Sequence, residues 1–161
     1  MLTADSLPRT PYKGYFNWHS EQKTSDLIKK SRDAETIFRK TGITFAVYGK
    51  EDSSERLIPF DIVPRIISGS EWRKLAQGIE QRVMALNAFL DDIYHKQEII
   101  KAGRVPRALI EKNDAFLPEM IGMRPPGGVY THIVGIDLVC TGPGEFYVLE
   151  DNARTPSGVS Y

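Results

Sequence analysis

Apolar residues recur at three- and four-residue steps through Trp72, Leu75, Ala76, Ile79, Val83, Leu86, Leu90 and Ile93, a stripe that turns one face of a long helix toward a core. Ser70 stands ahead of the stripe as an N-cap, and Glu71 sets a negative charge at the positive end of the helix. Gly78 interrupts it; close packing and a tolerated exposed position both account for a glycine there. A shorter pattern, Leu27, Ile28, Ala34, Ile37 and Phe38, predicts an amphipathic helix over Ser20 to Lys40 with Gly42 as its stop. Ile43 to Tyr48 predicts a strand that runs into a polar turn from Gly49 to Ser54. Residues 55–64, with Pro59 and Pro64, suit an extended crossing segment rather than a central strand.

Short, proline-punctuated helical pieces carry Ile99, Ile100, Val105, Leu109 and Ile110, and residues 122–130 form a loop. Residues 1–19 combine Pro8, Pro11, Gly14 and the aromatics Tyr12, Tyr15, Phe16 and Trp18 without a sustained period, which predicts an irregular arm that docks on a surface, ahead of a single unit over 20–161. At the other end the pattern changes to alternation. Residues 132–140 and 146–151 flank Thr141-Gly142-Pro143-Gly144-Glu145, so a β-hairpin is expected. The order of elements predicts a mixed α/β or α+β unit.

The hairpin turns pattern into chemistry. If it is symmetric about Pro143 and Gly144, Asp137 lies opposite Glu150 and Gly135 opposite Asn152, and opposed residues share a face. Two acids side by side repel unless one keeps its proton or a cation sits between them. Two carboxylates and an amide carbonyl are hard oxygen donors suited to Mg²⁺ or Mn²⁺. Solvent-facing acid pairs across hairpins are also common, and a register slip of one residue separates this pair. Simple alternation puts Phe146 and Val148 on the face of Glu150, implying a partly dry site, and Ile136 and Leu138 on the other face with Tyr147 and Leu149. Beyond Asn152, Arg154 offers a guanidinium able to hold a carboxylate or phosphate, while Ser157 and Gly158 offer a hydroxyl and an open amide. An ordinary Pro-Gly turn explains that stretch equally well.

Composition narrows the classes. Lys plus Arg and Asp plus Glu each total 21, so the net charge of zero argues against a nucleic-acid partner. No apolar run approaches the ~20 residues needed to cross a bilayer, and Met1 to Gly14 lack an apolar signal stretch, so a cytoplasmic protein without a membrane partner is expected. Cys140 is the single cysteine, which fits a reducing compartment and a buried filler role. His19, His95 and His132 lack zinc-hydrolase spacing, Ser157 lies in no nucleophile elbow, and residues 124–128 are not a Walker loop. Lys29, Lys30, Arg32 and Arg39 read as a solvated helix face.

Taken together, residues 59–67 (PFDIVPRII), 81–90 (QRVMALNAFL), 124–130 (RPPGGVY), 135–139 (GIDLV) and 148–161 (VLEDNARTPSGVSY) resemble the N-terminal portion of the circularly permuted ATP-grasp type 2 proteins. The resemblance covers about residues 40–161. It implies a partial ATP-grasp fold within a protein of several hundred residues, with the chain's ending an interruption. It also implies ATP and Mg²⁺ or Mn²⁺ as cofactors, and small-molecule or peptide carboxylate and amine substrates. The family's acid and Glu-x-Asn pair correspond to Asp137, Glu150 and Asn152. Many members carry an arginine where this chain has Gly135, which leaves that role open; Arg154 and His132 are candidates for it that the resemblance does not assign. The adenine and phosphate-binding residues are expected beyond Tyr161, so the 161-residue piece is expected to be inactive alone. A non-catalytic ATP-grasp-derived scaffold and a phosphotransferase acting on a non-carboxylate acceptor are the alternatives.

Overall fold

The computed structural model describes residues 1–45, 56–156 and 159. The chain forms two compact units, Met1–Ser68 and Gly69–Ser160.

In the first unit a 3-10 turn at Thr10–Tyr12 leads into helix α1, Lys13–Ser20, where irregular backbone was expected. The physical reason is visible in the spacing of the aromatics. Tyr15 meets Trp18 and His19 at ring-centroid distances of 5.4 and 5.8 Å, the i,i+3 and i,i+4 geometry of a helix, and Pro11 lies in the opening turn, where its missing amide costs nothing. The aromatic segment docks on the proline-containing stretch: Tyr12, 5% exposed, accepts a hydrogen bond from the Ile66 amide at 2.8 Å, and the Tyr15 hydroxyl donates to the Ile62 carbonyl at 3.4 Å. Helix α2, Thr24–Thr41, ends at Gly42, whose φ of +72° is the left-handed stop that glycine tolerates best. Phe38 packs edge-on against Phe60 at 5.0 Å. Strands β1, Thr44–Phe45, and β2, Arg56–Leu57, pair antiparallel. The rest of the strand and turn expected over 43–54 lies outside the described residues.

The second unit is built on helix α3, Gly69–Tyr94, which carries the long apolar stripe. It starts one residue before the expected cap, so Ser70 lies within its first turn. A Cβ at Gly78 would meet nothing within 4 Å, so this glycine is an open position rather than a close-packing one. The short helices α4, Glu98–Lys101, and α5, Arg107–Glu111, follow. Asp92 anchors the first of these, its two carboxylate oxygens accepting from the Glu98 and Ile99 amides at 2.9 Å each. The buried centre lies at the C-terminal end of α3. Ile93 and Tyr94 are 5% and 7% exposed, and Tyr94 stacks on Phe116 at 5.1 Å and on Tyr130 at 6.2 Å.

Strands β3, Gly135–Gly142, and β4, Glu145–Asn152, then form the hairpin, joined through Pro143 and Gly144 with Gly144 at φ +75°. The architecture is therefore α+β, a long amphipathic helix with an antiparallel hairpin. Among the described residues, no helix is long and apolar enough to cross a membrane.

Candidate functional site

The hairpin register pairs Asp137 with Glu150 and Gly135 with Asn152. The Asn152 amide nitrogen donates to Glu150 Oε1 at 3.1 Å, which leaves the amide oxygen turned to other use. Asp137, Glu150 and Asn152 thus share one face at the open end of the hairpin. All three are exposed.

A β-bulge decides which face that is. Asp137 opposes Glu150, but Leu138 opposes Val148, so Leu149 is the extra residue and the alternation of β4 inverts across it. Phe146 and Val148 therefore fall with Leu138 on the side that lines a groove against α3, and not on the face of Glu150 as simple alternation predicts. Tyr147 opposes Val139 and so leaves the face of Ile136 and Leu138 for the acid face, where it is 61% exposed. The acid face is open rather than partly dry.

Polar links from α3 hold the neighbouring loop and strand in place. Arg82 reaches Asp151 with Nε at 2.7 and 2.9 Å from its two oxygens and Nη2 at 2.6 Å from Oδ2. Asn87 accepts from the Tyr130 and Thr131 amides at 2.7 and 3.2 Å and donates to the Thr131 hydroxyl at 2.9 Å. Asp91 accepts from the Tyr130 hydroxyl at 3.1 Å and pairs with Arg124 Nε at 3.4 Å. The His95 ring lies beside them, its Nδ1 2.9 Å from the Asp91 carbonyl and 3.4 Å from the Tyr130 hydroxyl. Arg82, Asn87, Asp91 and Asp151 were not singled out by sequence reasoning. The signal was present in part, because residues 87, 91 and 95 are polar positions four apart beside an apolar stripe.

The loop after β4 folds back on the start of β3. A Cβ on Gly135 would lie 3.0 Å from the Pro156 Cβ and 3.5 Å from that of Asn152, so a side chain there forces the loop to shift. Arg154 is exposed in that loop and makes no ion pair among the described residues. Ser157 and Gly158 lie outside the described residues. His132 is exposed just ahead of β3.

The donor set suits a hard divalent cation. Asp137, Glu150 and the Asn152 amide present hard oxygen atoms on one face; among the described residues no group of three His, Cys, Asp or Glu side chains could hold a metal ion.

The pH response of the unit follows from its hydrogen bonds. The Ile99 and Glu98 amides hold the Asp92 carboxyl below its ordinary value of 3.8, and the hydrogen bond from Arg82 does the same for Asp151. Burial, then the hydrogen bond to Asp91, raises the Tyr130 phenol above 10.0. A depressed carboxyl stabilises the fold above its unfolded pKa, and that contribution is lost as pH falls through the folded value. A raised phenol stabilises below its unfolded pKa and loses its contribution as pH rises through the folded value. Urea denaturation of this chain across pH is expected to give a plateau through neutrality, with stability falling below about pH 4 and above about pH 10. A maximum displaced to pH 6 with slopes on both sides would contradict these assignments.

Compared with known proteins, residues 64–161 match the family model described as circularly permuted ATP-grasp type 2. The chain belongs to the circularly permuted ATP-grasp type 2 family. An uncharacterized protein of Synechocystis sp. is 44% identical over 161 residues, 100% of this chain and 34% of the relative. One from Mycobacterium leprae is 46% identical over 161 residues, again 100% of this chain and 28% of the relative. A Frankia alni protein provisionally named glutamate–cysteine ligase 2-3 is 46% identical over 134 residues, 81% of this chain and 15% of the relative. The chain spans about a third or less of the length of these curated relatives. Two of the polar links described above join stretches that carry the family resemblance: Arg82, in 81–90, to Asp151, in 148–161, and Asn87, in 81–90, to Tyr130, in 124–130.

Proposed function

We propose that this chain is the N-terminal part of an ATP-dependent carboxylate–amine ligase of the cytoplasm, inactive on its own. The observation that carries the reading is the direct pairing of Asp137 with Glu150, with Asn152 bonded to Glu150 on the same face. Family membership and the ligase name of the Frankia relative support the reaction class.

In this reading Asp137, Glu150 and Asn152 hold Mg²⁺ or Mn²⁺ through oxygen. When bound, the metal neutralises phosphate charge and orients the γ-phosphoryl group of ATP. Arg154 holds the substrate carboxylate or the charge developing on the phosphoryl group, and Ser157 and Gly158 add a hydroxyl and an amide to the phosphate contacts. The chemistry then balances as in other acyl activations. A carboxylate oxygen displaces ADP from the γ-phosphorus to give an acylphosphate. The amine attacks the acyl carbon, loses a proton and expels phosphate.

The test is a screen of acids and amines with the full-length protein, Mg²⁺ and ATP, with hydroxylamine added as a trap. ADP release accompanied by an acyl hydroxamate is the expected result. ADP release with a phosphorylated product and no hydroxamate would replace the ligase reading with phosphoryl transfer to another acceptor. Nucleotide binding without ADP release across the panels would replace it with a non-catalytic scaffold.

A further inference from the structure

We propose that Arg82 and Asp151 are positioning residues that aim Glu150 and Asn152 from the opposite side of the hairpin. The inference rests on the reading of Glu150 and Asn152 as metal ligands. Asp151 lies between them in β4, and strand alternation sends its side chain to the face opposite theirs. Fixing that one side chain therefore fixes the direction in which both neighbours point.

The fold gives this contact unusual weight. The bulge at Leu149 interrupts the ladder just before Glu150, leaving residues 150–152 as a short paired end beyond an irregularity. An open groove of about 730 Å³, lined by Leu75, Ile79, Leu138, Phe146 and Val148, lies between α3 and the part of the hairpin nearer the turn, and Arg82, which also lines it, reaches beyond it to Asp151. There Arg82 holds Asp151 with a fork of three contacts between 2.6 and 2.9 Å. The Asp151 side chain is only 15% exposed, whereas its neighbours face solvent. Arg82 stands mid-way along a helix of 26 residues, a rigid base for the clamp.

Charge and geometry make opposite forecasts for Arg82→Gln, whereas for Asp151→Asn, which removes a negative charge, both forecast weaker binding. Arg82→Gln leaves Asp151 as an additional negative charge near Asp137 and Glu150, which by electrostatics alone tightens cation binding. Loss of positioning weakens it. Removing an outer support of metal ligands typically costs about 10- to 100-fold in metal affinity.

The experiment is titration of Mn²⁺ alone into the full-length protein, followed by the electron paramagnetic resonance signal of the free ion. The expected result is an affinity about 10-fold or more weaker in both Arg82→Gln and Asp151→Asn. The double exchange Arg82→Asp with Asp151→Arg, which restores the pair in reverse, is expected to recover most of it. Amide exchange across residues 145–152 is expected to rise in the single variants and return in the exchanged pair. Equal or tighter Mn²⁺ binding in the single variants, or an exchanged pair that folds and binds no better than they do, would overturn the inference. Glu150→Gln in the same titration separates the two levels. If it leaves Mn²⁺ affinity unchanged, the metal reading itself fails; if it weakens binding while Arg82→Gln does not, only the positioning role fails.

Discussion

Replacement of Tyr94 by alanine is expected to destabilise the unit Gly69–Ser160 by about 3–5 kcal/mol, the range for truncating a large buried aromatic. Among the described residues Tyr94 is one of only three buried hydrophobic side chains, and the other in this unit, Ile93, is its neighbour in sequence. Its ring is stacked between Phe116 and Tyr130, so truncation exposes both partners as well as the cavity. Its hydroxyl also accepts from the Leu117 amide at 3.2 Å. Small domains carry a total stability of only about 5–15 kcal/mol, so the loss is a large share of the total. Tyr94→Phe keeps the stack and gives up the hydroxyl, and about 1 kcal/mol is expected for it. Denaturant unfolding checks both values, and a Tyr94→Ala cost below 1 kcal/mol would show that the stack is not the centre of the unit.

Much of this organisation is legible in the sequence where a local signal is strong. The stripe from Trp72 to Ile93 has only one periodic solution, and the helix Gly69–Tyr94 follows it. The pairing of Asp137 with Glu150 and of Gly135 with Asn152 agrees with the arithmetic from Pro143 and Gly144, but only because two irregularities cancel, an extra residue at Thr141 in β3 and one at Leu149 in β4. What escapes is long-range or irregular. Nothing in the run Phe146 to Asp151 marks Leu149 as a bulge, and that single extra residue reverses the side to which Phe146 and Val148 point. The bond from Arg82 to Asp151 spans 69 positions, beyond any spacing rule. Helix α1 is missed for a different reason, because Pro8, Pro11 and Gly14 outweigh the helical spacing of Tyr15, Trp18 and His19.

The bulge also bears on the chemistry. By sending Phe146 and Val148 toward α3, it leaves Asp137, Glu150 and Asn152 on an exposed face that they share with Val139 and the largely exposed Tyr147.

The other large effect expected is on metal–nucleotide binding. Asp137→Asn with Glu150→Gln removes both negative charges of the donor set while keeping size and shape. The two side chains are exposed, so the change in folding stability is expected to stay within about 0.5 kcal/mol. The loss then falls on the cation. Neutral amide oxygens are poorer donors to Mg²⁺ than carboxylates, so a cation held by these residues would be bound more weakly.

Calorimetric titration of Mg²⁺-ATP and Mn²⁺-ATP into the full-length protein, beside the double variant and the isolated 161-residue chain, is the most direct test. The expected result is saturable binding by the full-length protein, about 10²-fold or more weaker in the double variant, and no measurable binding by the isolated chain. Equal affinity in a folded double variant, or no binding by a folded full-length protein, would contradict the assignment of Asp137 and Glu150 as the metal-bearing pair.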